Sequence, residues 1–157
     1  MLIDTHCHLD YFQPEELPDI IRRAGELGVG EMVTIGTTLE QSVRIRALAE
    51  QFPNVWCTAG IHPHHAAKGE VPTPEAIAAL VDHPRVIGVG EAGLDYFYDR
   101  APRDVQQAVF RAHIRAARLA GVPLAIHTRD ADVDTMKILQ EEQDEGGKFN
   151  FLLHCFS

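Results

Sequence analysis

The sequence predicts an α/β fold of the (β/α)8 TIM-barrel type, with about six βα units within its 157 residues. Three observations predict it. Short β-type runs alternate with amphipathic helical patterns along the whole chain. The runs start roughly thirty residues apart, the size of one βα unit. Metal-competent polar side chains gather where several runs end, and barrels keep their chemistry at the C-terminal ends of their strands. An open doubly wound sheet would instead place a glycine-rich turn after the first strand, but this chain places His6-Cys7-His8-Leu9-Asp10 there.

The strands are expected near residues 2–6, 31–36, 54–60, 86–91, 123–127 and 149–154. Between them lie five helices. Residues 14–27 carry Leu17, Ile20, Ile21, Ala24 and Leu27 on one face, with Gly28 as the stop. Residues 39–51 turn Val43 and Leu48 inward, with Phe52 behind them, and end at Pro53. Thr73-Pro74 opens the third helix, since proline suits a first turn. Residues 102–120 form the longest, closed by Gly121 and Pro123, and residues 131–145 the last, closed by Gly146-Gly147. Near-continuous apolar strands between helices imply a parallel sheet covered on both faces. No linker divides residues 1–157, which read as one domain. A full barrel takes around 250 residues, so that domain is expected to be C-terminally incomplete. Its bare edge strands would invite self-association.

Composition bounds the function. The formal net charge of −9 argues against a broad basic groove for nucleic acid, although bound divalent cations would reverse the local field. No stretch approaches the roughly 20 apolar residues of a membrane helix. Asp4, His6 and His8 interrupt any signal-like start, and the reading is cytoplasmic. Three cysteines, Cys7, Cys57 and Cys155, give no disulfide framework. Cys155 is weighed as a reactive thiol beside His154.

His6 and His8 are two apart on a strand and project from the same side. Glu91, His127 and His154 end three further apolar runs. These five residues are the candidate metal ligands. Glu91 is also a candidate catalytic group, because a carboxylate can bridge two cations. The bland reading of each histidine, a hydrogen-bonded core imidazole, fails to explain why all stand at strand ends. Asp4 shares the parity of His6 and His8 and is a candidate to orient an imidazole. His62 and His64, in Gly60-Ile61-His62-Pro63-His64-His65, are candidates for substrate binding and proton transfer; the competing reading is a solvated loop. Arg129 is a candidate phosphate contact, against a surface pair with Asp130. His83 and His113 read as structural or exposed. Asp95-Tyr96 reads equally as site mouth or loop packing.

The motifs Asp4-Thr5-His6-Cys7-His8-Leu9-Asp10, Gly60-Ile61-His62-Pro63-His64, Gly90-Glu91-Ala92-Gly93-Leu94-Asp95-Tyr96, Ile126-His127-Thr128-Arg129-Asp130-Ala131 and His154-Cys155-Phe156-Ser157 resemble those of the TatD family of metal-dependent deoxyribonucleases, in order over the whole chain. The resemblance implies a (β/α)8 barrel with two divalent metal ions (zinc, manganese, magnesium, iron or nickel). It implies one ion on His6 and His8, Glu91 bridging, and the second ion on His127 and His154. It also implies an aspartate after the eighth strand, which these residues do not include. The implied activity is phosphodiester hydrolysis as a 3'-5' deoxyribonuclease on DNA 3' ends, with no membrane and no obligate protein partner. Two other readings share the ligand set: an amidohydrolase-like enzyme on ester or amide bonds such as D-aminoacyl-tRNA, and an inactive metal-binding fragment.

Overall fold

The computed structural model describes residues 1–154; Cys155 and the rest of the last motif lie outside the described residues. In chain order the elements are β1 (Leu2–Cys7), α1 (Leu17–Glu26), β2 (Val29–Thr34), α2 (Leu39–Ala49), β3 (Val55–Ala59), α3 (Pro74–Val81), β4 (Val86–Asp95), α4 (Arg103–Ala120), β5 (Leu124–Arg129), α5 (Asp132–Gly146) and β6 (Phe151–His154). Every strand pairs in parallel with the next, so the sheet order β1-β2-β3-β4-β5-β6 is the chain order. Right-handed crossovers in such a sheet put all helices on one face and turn the other toward a barrel axis. A doubly wound sheet would reverse its order midway. This is the strand-and-helix progression of a TIM-type barrel, six units long.

Local chemistry sets the helix starts. The Thr38 hydroxyl accepts the Gln41 N–H at 3.1 Å to cap α2, and the Thr73 hydroxyl accepts the Ala76 N–H at 3.2 Å to cap α3. The main core lies between sheet and helices. Met32, Val55, Cys57, Val86, Leu124 and Ile126 of the strands cluster with Ile21, Ile45, Ile77, Phe110, Ile114 and Ile138 of the helices. Each large aliphatic chain fully buried there contributes roughly 1.5–3 kcal/mol. The Glu142 carboxylate ties α5 to α4 by accepting from Arg111, Arg115 and Arg118 at 3.3, 2.7 and 3.5 Å. Burial opposes its charge, but these guanidinium groups, Arg115 first, outweigh that and lower its pKa.

Three expectations need correction. The inward stripe of α2 is Gln41, Ser42, Ile45 and Ala49, rotated away from Val43, which is exposed. Gln41 is drawn inward because its amide donates to Asp10 at 2.8 Å and its carbonyl oxygen accepts from Thr37 N–H at 2.7 Å. Leu27 lies at the C-terminal cap of α1, beyond the buried stripe, and is exposed. The strands are not uniformly covered: Leu2 and Ile3 on β1, and Phe151 and Leu152 on β6, are exposed because each edge strand has a neighbour on one side only.

Strand β4 runs four residues past Glu91, and Gly93 is what lets it stay close to β5. Gly93 has φ +147°, and a Cβ there would sit 1.9 Å from the His127 carbonyl oxygen. Gly93→Ala is therefore expected to destabilise the chain by about 1–3 kcal/mol or more, read as a lower midpoint in urea unfolding. An unchanged midpoint would mean that the two strands are not held this tightly.

Candidate metal centre

The C-terminal ends of the strands deliver a cluster of imidazoles around one buried carboxylate. Glu91 on β4 is 3% exposed. Its Oε1 accepts from His127 Nδ1 at 3.1 Å, and its Oε2 faces His6 Nε2 at 3.4 Å. Each oxygen thus looks toward a different histidine. One donor group is His6, His8 and Glu91; the other is His62, Glu91 and His127; within each, one potential ligand atom per residue lies within 4.8 Å of the others. His154, at the end of β6, stacks on His6 with ring centroids 3.4 Å apart. The five sequence-predicted ligands are therefore brought to one place, as is His62.

The local backbone explains the arrangement. The ladder between β1 and β2 is irregular between Asp4 and Cys7. Asp4 does not reach an imidazole; its carboxylate accepts the His6 backbone N–H at 3.1 Å. Cys7 faces away, packs against the core and donates to the Val33 carbonyl. Burial pushes its thiol up to about 12, so it is inert at neutral pH. A Cβ at Gly60 would lie 2.6 Å from Gly90 Cα. Only glycine lets the loop carrying His62 and His64 lie flat against the strand carrying Glu91.

That loop is pinned by a residue with no place among the ligands. His113 on α4 is fully buried; its Nδ1 pairs with the Val109 carbonyl at 2.8 Å, and its Nε2 accepts the Ile61 N–H at 2.9 Å. This assigns the neutral tautomer with the proton on Nδ1. One step further along, His62 Nδ1 accepts the His64 N–H at 3.1 Å, which leaves the His62 proton on Nε2 as a donor.

Asp95 was read ambiguously from sequence, yet it is an organising residue of the site. It closes β4 and is 1% exposed. Its Oδ2 takes His64 Nε2 at 2.9 Å and His127 Nε2 at 3.0 Å, and its Oδ1 accepts the Tyr98 N–H at 2.8 Å. The signal was spacing: four residues after Glu91 on a continuing strand returns to the same face. Ending the strand at Glu91 hid it. Arg129 makes no ion pair with Asp130 among the described residues; it lies over the rings of Phe97 and Tyr98. His65 is partly buried beside the loop, and His83 pairs with Glu50 at 2.9 Å, far from any ligand role.

Charge in the cluster is set by burial. It pulls His62 down to about 3, and it lowers His8 and His154, with the charge of His6 adding to both. Burial also opposes ionisation of Glu91, but the His127 hydrogen bond and the His6 ring outweigh it and hold the carboxylate well below its usual range. For Asp95 burial likewise works against the charge, and the Tyr98 N–H, His64 and His127 prevail. His127 is raised: burial would lower it, but Glu91 and then Asp95 bind its charged form. Ionised carboxylates thus stand beside three imidazoles that burial holds toward the neutral form, His8, His62 and His154, and beside His127, which the carboxylates hold toward its charged form. His6 Nδ1 and Nε2 and His8 Nδ1 are buried without any hydrogen-bond partner. Unpartnered buried nitrogens are costly, and a divalent cation is the species this donor set fits.

Comparison with known proteins agrees with the geometry. Residues 3–157 match the model of a family described as TatD related DNase. The chain is 36% identical over 160 residues to the uncharacterized metal-dependent hydrolase YabD of Bacillus subtilis, covering 100% of this chain and 61% of that protein. It is 34% identical over 139 residues to the 3'-5' ssDNA/RNA exonuclease TatD of Shigella flexneri, covering 88% of this chain and 53% of that protein. Among solved structures it is similar to the TatD homolog YJJV of Escherichia coli, with a TM-score of 0.84 and 27% identity over 99% of this chain and 60% of that one. The chain spans a little over half the length of these curated relatives.

The His113 pin predicts a pH effect. Burial lowers its pKa from 6.5 to about 4, so the folded chain keeps it neutral while the unfolded chain protonates it below 6.5. Its contribution is fully present above 6.5 and is lost as pH falls toward about 4. His113→Phe should cost about 1–3 kcal/mol at pH 7 by stranding the Ile61 N–H. It should also flatten the fall in thermal midpoint between those pH values, measured by circular dichroism.

Proposed function

The chain belongs to the TatD related DNase family, and from that premise we propose that it carries the ligand cluster of a two-metal hydrolase that trims single-stranded DNA from its 3' end. One observation carries the reading: the two oxygens of the buried Glu91 carboxylate face different histidines, His127 and His6, and Glu91 belongs to two separate donor groups. His6 and His8 would hold one ion, with Glu91 shared. His127, with His154 arriving on β6, would hold the second. The metal is left open among zinc, manganese, magnesium, iron and nickel; the imidazole-rich donor set suits zinc, iron and nickel better than the oxygen-preferring magnesium.

The chemistry supplied by such ions when bound is Lewis-acid polarisation of a phosphoryl group and neutralisation of its developing charge. The chain's own residues do the rest. Asp95 accepts the Nε2–H of His127 and turns Nδ1 toward Glu91; with an ion bound, Nδ1 would give up its proton and offer its lone pair, the carboxylate–histidine arrangement that fixes a ligand's tautomer. His62, with Nδ1 committed to the His64 N–H, keeps an Nε2 donor for a substrate oxygen. This tautomer favours His62 as a substrate contact over a direct ligand. His64, held by Asp95, stands beside it, with ring centroids 4.4 Å apart. Arg129 reaches the rim as a cation for a flanking phosphate. The names of the Shigella and Bacillus relatives, an exonuclease and a hydrolase, support the reaction class.

The test begins with metal content. Titration with zinc, followed by elemental analysis, should give two ions per chain, and Glu91→Gln no more than one. Asp95→Asn should keep the ligand count but weaken affinity about 10–100-fold. The loaded chain should shorten a 3'-ended single-stranded DNA faster than it cleaves an aminoacyl ester. Glu91→Gln should abolish that trimming, whereas His64→Ala should only slow it. Two ions without any trimming would leave a metal-binding module and remove the nuclease reading. Two ions in Glu91→Gln would remove the bridge.

A further inference from the structure

Phe97, Tyr98 and Arg100, which have no role in the cluster, continue outward from it together with Arg129. Tyr98 meets His64 edge to face, with ring centroids 5.3 Å apart, and meets Phe97 at 4.9 Å. Phe97 is 55% exposed and Tyr98 48%, although Leu94 and Asp95, earlier on the same segment, are buried. The Arg129 guanidinium lies over both rings, 4.2 Å from the Phe97 centroid and 4.9 Å from that of Tyr98, and Arg100 lies 5.3 Å from Tyr98. Among the described residues neither Arg129 nor Arg100 forms an ion pair. In a chain of net charge −9, these two arginines place positive charge on two exposed rings beside the cluster.

We propose that Phe97 and Tyr98, with Arg129 and Arg100, form a stacking platform for the nucleobase next to the cleaved linkage of a single-stranded substrate. This rests on the nuclease reading above and adds a subsite to it. Exposed rings that pack on no core cost free energy in water unless something covers them. A nucleobase offers the flat face that fits them, and guanidinium planes stack on bases as well as on phenyl rings. The tether is short. Asp95 Oδ1 accepts the Tyr98 N–H, so the residue that holds His64 and His127 also fixes where the platform starts. A base stacked there lies one side chain away from His64. Stacking is tolerant of base identity, so the subsite would select for an unpaired base and not for a sequence.

Fluorescence anisotropy on the zinc-loaded chain tests it. The probes are a 5'-fluorescein hexathymidylate with phosphorothioate 3' linkages and an abasic strand of the same length and linkages. The native chain should bind the thymidylate at least fivefold more tightly than the abasic strand. The double variant Phe97→Ala/Tyr98→Ala should lose that preference, weakening thymidylate binding about five- to a hundredfold while leaving the abasic strand unaffected. Phe97→Trp should retain it. Arg129→Gln should weaken both strands and lower the slope of log affinity against log salt by about 0.7. Circular dichroism and zinc content separate loss of stacking from loss of fold. Equal binding of both strands by the native chain, or a preference that survives the double alanine change, would overturn the platform and leave the nuclease reading standing. No binding of either strand by a folded, zinc-loaded chain would overturn both.

Discussion

The imidazole of His127, held between the carboxylates of Glu91 and Asp95, is the contact on which the site depends. Both carboxylates come from one strand, four residues apart, and the ring comes from the strand beside it. That geometry needs β4 to remain extended through Asp95 and to lie close against β5. The absence of a side chain at Gly93, pressed on the His127 carbonyl, permits it. The ring then carries the order outward. Asp95 recruits His64, and the His64 N–H sets the proton on His62. A pair of buried negative charges thereby organises the surrounding imidazoles.

Much of this architecture was readable from the chain because two periodicities were visible at once. Apolar runs separated by helical patterns specify a parallel sheet. His6, His8, Glu91, His127 and His154 stood out because each ended such a run. A functional histidine at the close of an apolar strand contrasts with its neighbours in a way a surface histidine does not. The structure collects those five residues at one place.

What stayed hidden depended on tertiary choices. Asp95 looked like a loop residue because Gly90, Gly93 and small neighbours resemble a strand end, whereas the close approach to β5 keeps the ladder going. The inward face of α2 could not be read from hydrophobicity, since a polar residue, Gln41, faces inward and Val43 does not. A buried amide with three hydrogen-bond partners fits an interior as well as an apolar chain does. His113 gave no signal, because a single imidazole within an 18-residue helix matches many roles until its partner, the Ile61 N–H, is located.

The first and sixth strands share no backbone ladder among the described residues, yet His6 and His154 lie ring on ring at 3.4 Å. Their separation is therefore a calliper reading of the sheet's camber. Five successive strand-to-strand rotations accumulate between these two rings. A small flattening at any one pairing would be magnified at the jaws. A change in the sheet's curvature, even at positions remote from every histidine, would therefore alter this gap.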